Sequence, residues 1–391
     1  MVSVTTRITP NPMRDELAQP EPDPAIAAFH RRMPAYSPTL LFDVPDLAKQ
    51  YGVGRVLVKA ETRRMGLPSF KILGASWATY RALCDHIGYE PEPWGNINEL
   101  ARNLADLRPF TLATATDGNH GRAVAFMARV LGFGARIFVP VGMAEARIQA
   151  MRSEGAEVTV VDGDYDDAVA RSAEEAGQNC LVISDTSWPG YEATPSRVIE
   201  GYTTIFTEID DALAASALPD PDLVVIPMGV GAFMAAGVTH YRSGGRDAVI
   251  VGVEPLDANC VQESVEAGEI TPVPGPHRSI MVGLNCGRPS LIAWPRLSKG
   301  IDWLVAVDDD SARDAMRALA DVGIVAGETG AASLAGFIAL AADSPALEAT
   351  GLDSHSTVLL VVTEGATDPA NYEDIVGRSH DTVGRVITAV S

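Results

Sequence analysis

Short runs that are apolar almost throughout alternate along the chain with longer segments whose apolar residues return every three or four positions. GRVLVKAE (54–61), FTLATAT (110–116), ARIFVPVG (135–142), EVTVVDG (157–163) and CLVISD (180–185) are of the first kind and read as strands. DLVVIPMG (222–229), AVIVGVEP (248–255) and STVLLVVTEG (356–365) repeat that pattern. The second kind, read as helices, comprises FKILGASWATYRALCDHI (70–87), GNHGRAVAFMARVLG (118–132), AEARIQAMRSEG (144–155) and DDAVARSAEEAG (166–177). Strands without a polar face belong in a parallel sheet covered by helices on both sides, so the expected class is α/β. Residues 1–36, rich in proline and polar side chains, read as an extended arm over the surface. Residues 88–109 read as a surface insertion with one short helix.

A length of 391 residues exceeds what one core commonly serves and points to more than one domain. Apolar residues at 47% and charged residues at 21% are ordinary for a soluble globular chain. A net charge of −21 argues against nucleic acid or an anionic membrane as the main partner. The four cysteines, Cys84, Cys180, Cys260 and Cys286, form no CxxC motif and no metal-ligand spacing. The N-terminal stretch lacks a basic-then-apolar signal pattern, and no apolar run is long enough to span a bilayer. The expectation is a cytoplasmic protein without a metal.

Only four lysines occur, at 49, 59, 71 and 299, so arginine supplies 26 of the 30 basic residues. Lys71 lies in RMGLPSFKILGASWA, an apolar, glycine-rich stretch at the start of a helix, where an ammonium gains nothing from the helix dipole. Two readings stand: a side chain that snorkels to water, or a primary amine kept for Schiff-base chemistry that arginine cannot perform. Other stretches sit where open α/β sheets bind ligands, at strand-to-helix turns. TATDGNHGRAVA (114–125) crowds Asp117, Asn119 and His120 into one such turn, with Asp117 or Asn119 also able to serve as a helix cap. SDTSWPGYE (184–192) ends a strand on Asp185. MGVGAF (228–233) follows a strand and opens an apolar helix, a place for an anion or for tight packing alone. It lacks the GxGxxG fingerprint of a dinucleotide site.

Taken in order, SFK, TDGNHG, DTSWPGY, GVG, GETGA and TEG resemble the fold-type II pyridoxal 5′-phosphate enzymes, the group of threonine dehydratase, cysteine synthase and tryptophan synthase β. The resemblance runs from about residue 35 to 385. Within the group the chain is most similar to the diaminopropionate ammonia-lyases. It implies two three-layer α/β domains with mainly parallel sheets: a large cofactor-binding domain of 1–82 and 191–391, and a smaller one of 83–190 inserted into it. It implies pyridoxal 5′-phosphate as cofactor, an amino acid as substrate and a homodimer as assembly. By the same resemblance Lys71 carries the cofactor, Asn119 bonds its 3′-oxygen, and Gly229, Val230, Gly231 and Ala232 cradle its phosphate. Thr363 then meets the pyridine nitrogen, where a hydroxyl leaves the ring a weaker electron sink than a carboxylate would.

Dehydratases and synthases of this group carry serine or threonine where this chain has Asp117. The resemblance makes Asp117 and Asp185 the carboxylates of the substrate site. A second substrate amine accounts for both, since a carboxylate pairs with an ammonium and a serine hydroxyl does not. The implied reaction is α,β-elimination of ammonia from 2,3-diaminopropionate, with Lys71 taking the Cα proton of the L-isomer and Asp117 that of the D-isomer. His120 reads as a structural or phosphate-side residue rather than an acid–base group. Glu328 matches a loop near the cofactor ring. Three departures, SFK for AFK, WPGY for WEGY and GVGAF for GVGSF, leave open β-elimination or β-replacement on another 3-substituted or 3-hydroxy amino acid. A non-catalytic amino-acid-binding protein would be expected to lose Lys71 or the phosphate glycines, which this chain keeps. A nicotinamide oxidoreductase lacks its glycine motif here.

Overall fold

The computed structural model describes residues 6–116, 118–384 and 388–390. Twelve strands occur among them: β1 (Thr6–Pro10), β2 (Leu41–Asp43), β3 (Arg55–Ala60), β4 (Thr111–Ala115), β5 (Gly134–Pro140), β6 (Glu157–Val161), β7 (Cys180–Val182), β8 (Leu223–Pro227), β9 (Val249–Pro255), β10 (Trp303–Val307), β11 (Thr357–Val362) and β12 (Thr388–Ala389). The chain divides into two compact units. The first comprises Met1–Pro22, Pro38–Arg63 and Ile205–Ser391, and the second Asp23–Ser37 and Arg64–Thr204. The 83–190 segment lies inside the second unit, which also takes in 23–37, 64–82 and 191–204.

The first unit is built on an eight-stranded sheet in the order β1-β10-β9-β8-β11-β3-β2-β12. Its five inner strands run parallel, from β10 to β3, and antiparallel pairs close the edges: β1 on β10, and β2 on both β3 and β12. The inner strands are apolar because helices cover them. The helix Glu328–Ala342 buries Ala331, Ala332, Leu334, Ala335, Phe337 and Leu340 in the same core as Val225, Val253 and Leu360. The N-terminal arm differs from expectation. Its first strand pairs in register with β10, from Thr6 opposite Val307 to Pro10 opposite Trp303, so backbone bonds hold it where side-chain pattern offered no cue.

The second unit carries a four-stranded, all-parallel sheet in the order β6-β5-β4-β7. Residues 23–36 of the supposed arm belong here, and several of them, Ile26, Ala27, Phe29, His30 and Met33, are core. Phe29, on the helix Pro24–His30, packs against Trp77, Tyr80 and Trp94 with ring centroids 5.4, 5.0 and 5.7 Å away. The helix Lys71–Ile87 crosses the start of the long helix Ala193–Ala215 at two glycines. A Cβ on Gly74 would come within 2.5 Å of the Tyr202 ring, and one on Gly201 within 2.5 Å of the Leu73 carbonyl. Buried His30 stitches the same crossing: Nε2 donates to the Leu73 carbonyl at 3.0 Å, and Nδ1 accepts from the Thr204 hydroxyl at 2.7 Å. The close approach fixes the first turn of the helix that begins at Lys71.

Candidate active site

In the second unit the start of one helix and the ends of two parallel strands deliver polar side chains. Lys71 is the first residue of its helix, and its side chain is 22% exposed. The strand β4 ends at Ala115, and a tight turn leads into the helix Asn119–Leu131. That turn is held by Thr116, whose hydroxyl oxygen accepts from the backbone N–H of Gly118 at 2.9 Å and of Gly121 at 3.0 Å. Thr116 thus accepts from two backbone N–H groups at the start of this helix. Asp117 lies outside the described residues. Asn119 opens the helix, and His120, buried, follows it.

The strand β7 is shorter than CLVISD suggests, and its early end matters. Ile183 still bonds to Ala113 through its N–H at 2.8 Å, but the N–H of Ser184 turns to the Tyr191 hydroxyl at 3.1 Å. That hydroxyl in turn donates to the Val182 carbonyl at 2.6 Å, while the Tyr191 ring stacks on Trp188 at 4.2 Å. The chain leaves the ladder here, so Asp185 faces Lys71 rather than a neighbouring strand. Lys71 Nζ donates to Asp185 Oδ2 at 2.8 Å. His120 Nδ1 stands 3.8 Å from the same oxygen, and His120 Nε2 meets the Ile183 carbonyl at 2.7 Å. Burial alone would raise the Asp185 carboxyl; the positive charges of His120 and Lys71, with the hydrogen bond from Lys71, outweigh it and hold the group down at about 2.

The structure thus joins Lys71 to Asp185 and adds His120, which sequence reasoning set aside as structural. It also adds Tyr202, a fully buried phenol near enough to Lys71 and Asp185 for their charges to act on it; burial pushes it above its ordinary range. Its only sequence signal was an aromatic residue in the EGYTT stretch, which helix periodicity reads as core. Pro189, one of the departures, is exposed at the tip of the turn between Trp188 and Tyr191.

In the first unit the stretch Gly229, Val230, Gly231 and Ala232 links β8 to the helix Ala232–Tyr241. Gly231 adopts φ +90°, a left-handed conformation, and a Cβ there would lie 2.3 Å from Leu297 Cδ1. A Cβ on Gly229 would meet Cys286 Sγ and the Gly283 carbonyl, both at 3.1 Å. The Val230 carbonyl accepts from the Ser290 N–H at 2.9 Å. The turn is packed from behind, and its backbone N–H groups lead a helix N-terminus, a geometry suited to an anion. Thr363 follows β11. Its hydroxyl is buried and finds no hydrogen-bond partner among the described residues. An orphaned hydroxyl at a strand end costs about 1–3 kcal/mol unless a ligand atom meets it. Glu328 is buried at the head of its helix and accepts from Asn371 Nδ2. All four cysteines are free thiols.

A family model described as pyridoxal-phosphate dependent enzyme matches residues 32–364. The chain belongs to the pyridoxal-phosphate-dependent enzyme family. Among curated relatives, the diaminopropionate ammonia-lyase of Salmonella typhimurium is 34% identical over 376 residues, covering 90% of this chain and 92% of that protein. An L-threonine dehydratase of Mycobacterium leprae is 29% identical over 269 residues, covering 67% of this chain and 58% of its own. The crystal structure of holo diaminopropionate ammonia lyase from Escherichia coli superposes with a TM-score of 0.86 at 30% identity, covering 98% of this chain and 99% of that one. The same Escherichia coli protein in complex with an aminoacrylate–PLP azomethine intermediate gives 0.85 at the same identity and coverage. As a member of this family the chain uses pyridoxal 5′-phosphate. The residues present fit that group: a primary amine at Lys71, a glycine turn at a helix N-terminus at Gly229–Ala232 and an orphaned hydroxyl at Thr363.

Proposed function

We propose that this enzyme eliminates ammonia from 2,3-diaminopropionate, releasing aminoacrylate that hydrolyses to pyruvate and a second ammonia. The observation that carries the reading is the Lys71–Asp185 contact, an amine and an ionised carboxylate 2.8 Å apart in a chain whose relatives bear that activity. Lys71 would hold the cofactor through its amine, the Gly229–Ala232 turn its phosphate, Asn119 its 3′-oxygen and Thr363 its ring nitrogen. When bound, pyridoxal 5′-phosphate supplies an electron sink for the charge left at Cα.

The chain's own residues then divide the remaining work. Asp185, ionised where His120 and Lys71 face it, is matched to the substrate's second ammonium, which a serine hydroxyl would leave unpaired. Lys71 accepts the Cα proton from one face and Asp117 from the other, which accommodates both stereoisomers. The Ala232 and Pro189 departures remove a hydroxyl and a carboxyl from the family pattern, but Pro189 points to solvent and leaves the Lys71–Asp185 contact intact. Among the described residues no helix is long and apolar enough to cross a membrane. We expect a cytoplasmic homodimer, which light scattering reports as twice the 41.3 kDa chain mass.

The deciding assay measures ammonia and pyruvate from L- and D-2,3-diaminopropionate, with serine and threonine as controls. Two ammonia per pyruvate from the diamine, and little product from serine or threonine, is the expected result. Turnover of the hydroxy amino acids without the diamine moves the substrate to the dehydratase class.

A further inference from the structure

His120 is placed to do more than support a turn. Its Nε2 lies 2.7 Å from the Ile183 carbonyl, which can only accept, so Nε2 carries a hydrogen. Nδ1 is then the titrating position, and it faces Asp185 Oδ2 at 3.8 Å. That is ion-pair range, and the oxygen is the one Lys71 Nζ occupies at 2.8 Å. As the second residue of a helix, His120 sits where the dipole opposes a cation, so a proton on Nδ1 depends on the carboxylate opposite. Other groups among the described residues also face this pair. Lys71 and the Tyr202 phenol approach Asp185 from the crossing helices, and the Tyr191 phenol approaches it from its own loop. Arg147 stands beside the adjoining turn, 3.3 Å from where a Gly118 Cβ would be.

Once Lys71 is engaged through its amine, Oδ2 loses its closest cation and His120 Nδ1 remains. We propose that His120 acts through Asp185 to keep the substrate's leaving nitrogen protonated. The inference rests on the ammonia-lyase reading. Ammonia leaves as a neutral molecule only if the C3 nitrogen carries three hydrogens when the bond breaks. A substrate bound with a neutral C3 amine lacks one of them. The Nδ1 proton of His120 passes to Asp185 and from there to that nitrogen. The C3–N electron pair then departs on nitrogen, the Cα–H pair forms the C2–C3 double bond, and the Cα proton goes to the base. His120 regains its proton from water. It is a positioning and proton-holding residue, not one that touches the reacting carbon.

The test compares 2,3-diaminopropionate with 3-chloroalanine, whose chloride leaves without a proton. His120→Gln keeps a donor for the Ile183 carbonyl and removes the titrating nitrogen. In the holoenzyme we expect the ratio of diamine to chloroalanine turnover to fall at least about tenfold, general-acid contributions being of order 10²–10⁴. An unchanged ratio, with both substrates slowed alike, overturns the proposal. A second measurement needs no variant at His120. In ¹⁵N-histidine spectra of the full chain, with and without cofactor, Nε2 of His120 should stay protonated while Nδ1 titrates, with its midpoint shifted downward in Asp185→Asn. A proton fixed on Nδ1 with Nε2 bare, or a midpoint indifferent to Asp185, overturns it as well. Failure of the wild-type enzyme to act on the diamine while it consumes chloroalanine instead refutes the ammonia-lyase reading, and the proton route with it.

Discussion

Among the described residues three of the four lysines form an ion pair with a carboxylate; that of Lys299 with Asp15 is exposed, and the other two, Lys59 and Lys71, serve opposite ends. Lys59, next to last in β3, is 1% exposed and its partner Glu208 is 4% exposed. Its ammonium donates to Glu208 at 2.7 Å and to the Thr39 carbonyl at 2.9 Å, while the Thr39 N–H donates to the same Glu208 oxygen at 3.2 Å. The amine is walled in, and a group so buried has no path to a reagent. Lys71 has a similar bond, 2.8 Å to Asp185, but it is 22% exposed and begins a helix rather than standing inside a sheet. Pair chemistry alone does not separate the buried lysine from the accessible one. Access and the surrounding charges do.

The largest expected effect breaks the comparison at the Lys71–Asp185 pair. Lys71→Arg preserves a cation for Asp185 and removes the primary amine; turnover should fall by at least about 10⁴-fold while the unfolding midpoint moves little. Lys59→Met should do the reverse. It removes the Lys59 cation from a buried pair with Glu208 and should cost about 3–5 kcal/mol in denaturant unfolding. Adding Glu208→Leu to that variant should recover most of the loss, because the buried pair repays little of its desolvation.

A finer test uses pH. The Asp185 carboxyl is lower in the folded state, at about 2, than in the unfolded chain, so it stabilises the fold above about pH 4 and the contribution disappears as pH falls from 4 to 2. It amounts to about 2 kcal/mol at neutral pH. The stability gap between wild type and Asp185→Asn should therefore be widest at pH 7 and narrow steadily below pH 4. The smallest effect expected is one of preference. Asp117→Asn should lower D-isomer turnover more than L-isomer turnover, by about tenfold in the ratio; equal losses would remove the two-face division between Asp117 and Lys71.

Much of the fold was legible. Runs such as LVVIP and TVLLVV are apolar on both faces, and they form the parallel centre of the large sheet as that pattern requires. The edges were harder. TRITP and LFD are too short and too mixed to stand out, and they are strands because β10 and β3 offer them unpaired backbone. Phe29 and His30 looked like part of an arm, since nothing local says that Trp77 and the Leu73 carbonyl lie beside them. The role of His120 was hidden for the same reason: its partner Asp185 is distant in sequence, and a buried histidine at a helix start is ordinarily just packed.

The amino-acid sequence by itself determined the α/β class and the strand-turn-helix joints, because these depend on local periodicity, and it made Lys71 a candidate for Schiff-base chemistry, because a primary amine can form one and arginine cannot. It also carried the family, through SFK, GNHG, GVG and TEG. Tertiary structure alone decided which lysine is sealed and which is open, and that Asp185 turns off its strand to meet Lys71 and His120. Those outcomes depend on burial and on charges brought together from distant segments, and both arise only when the chain is packed.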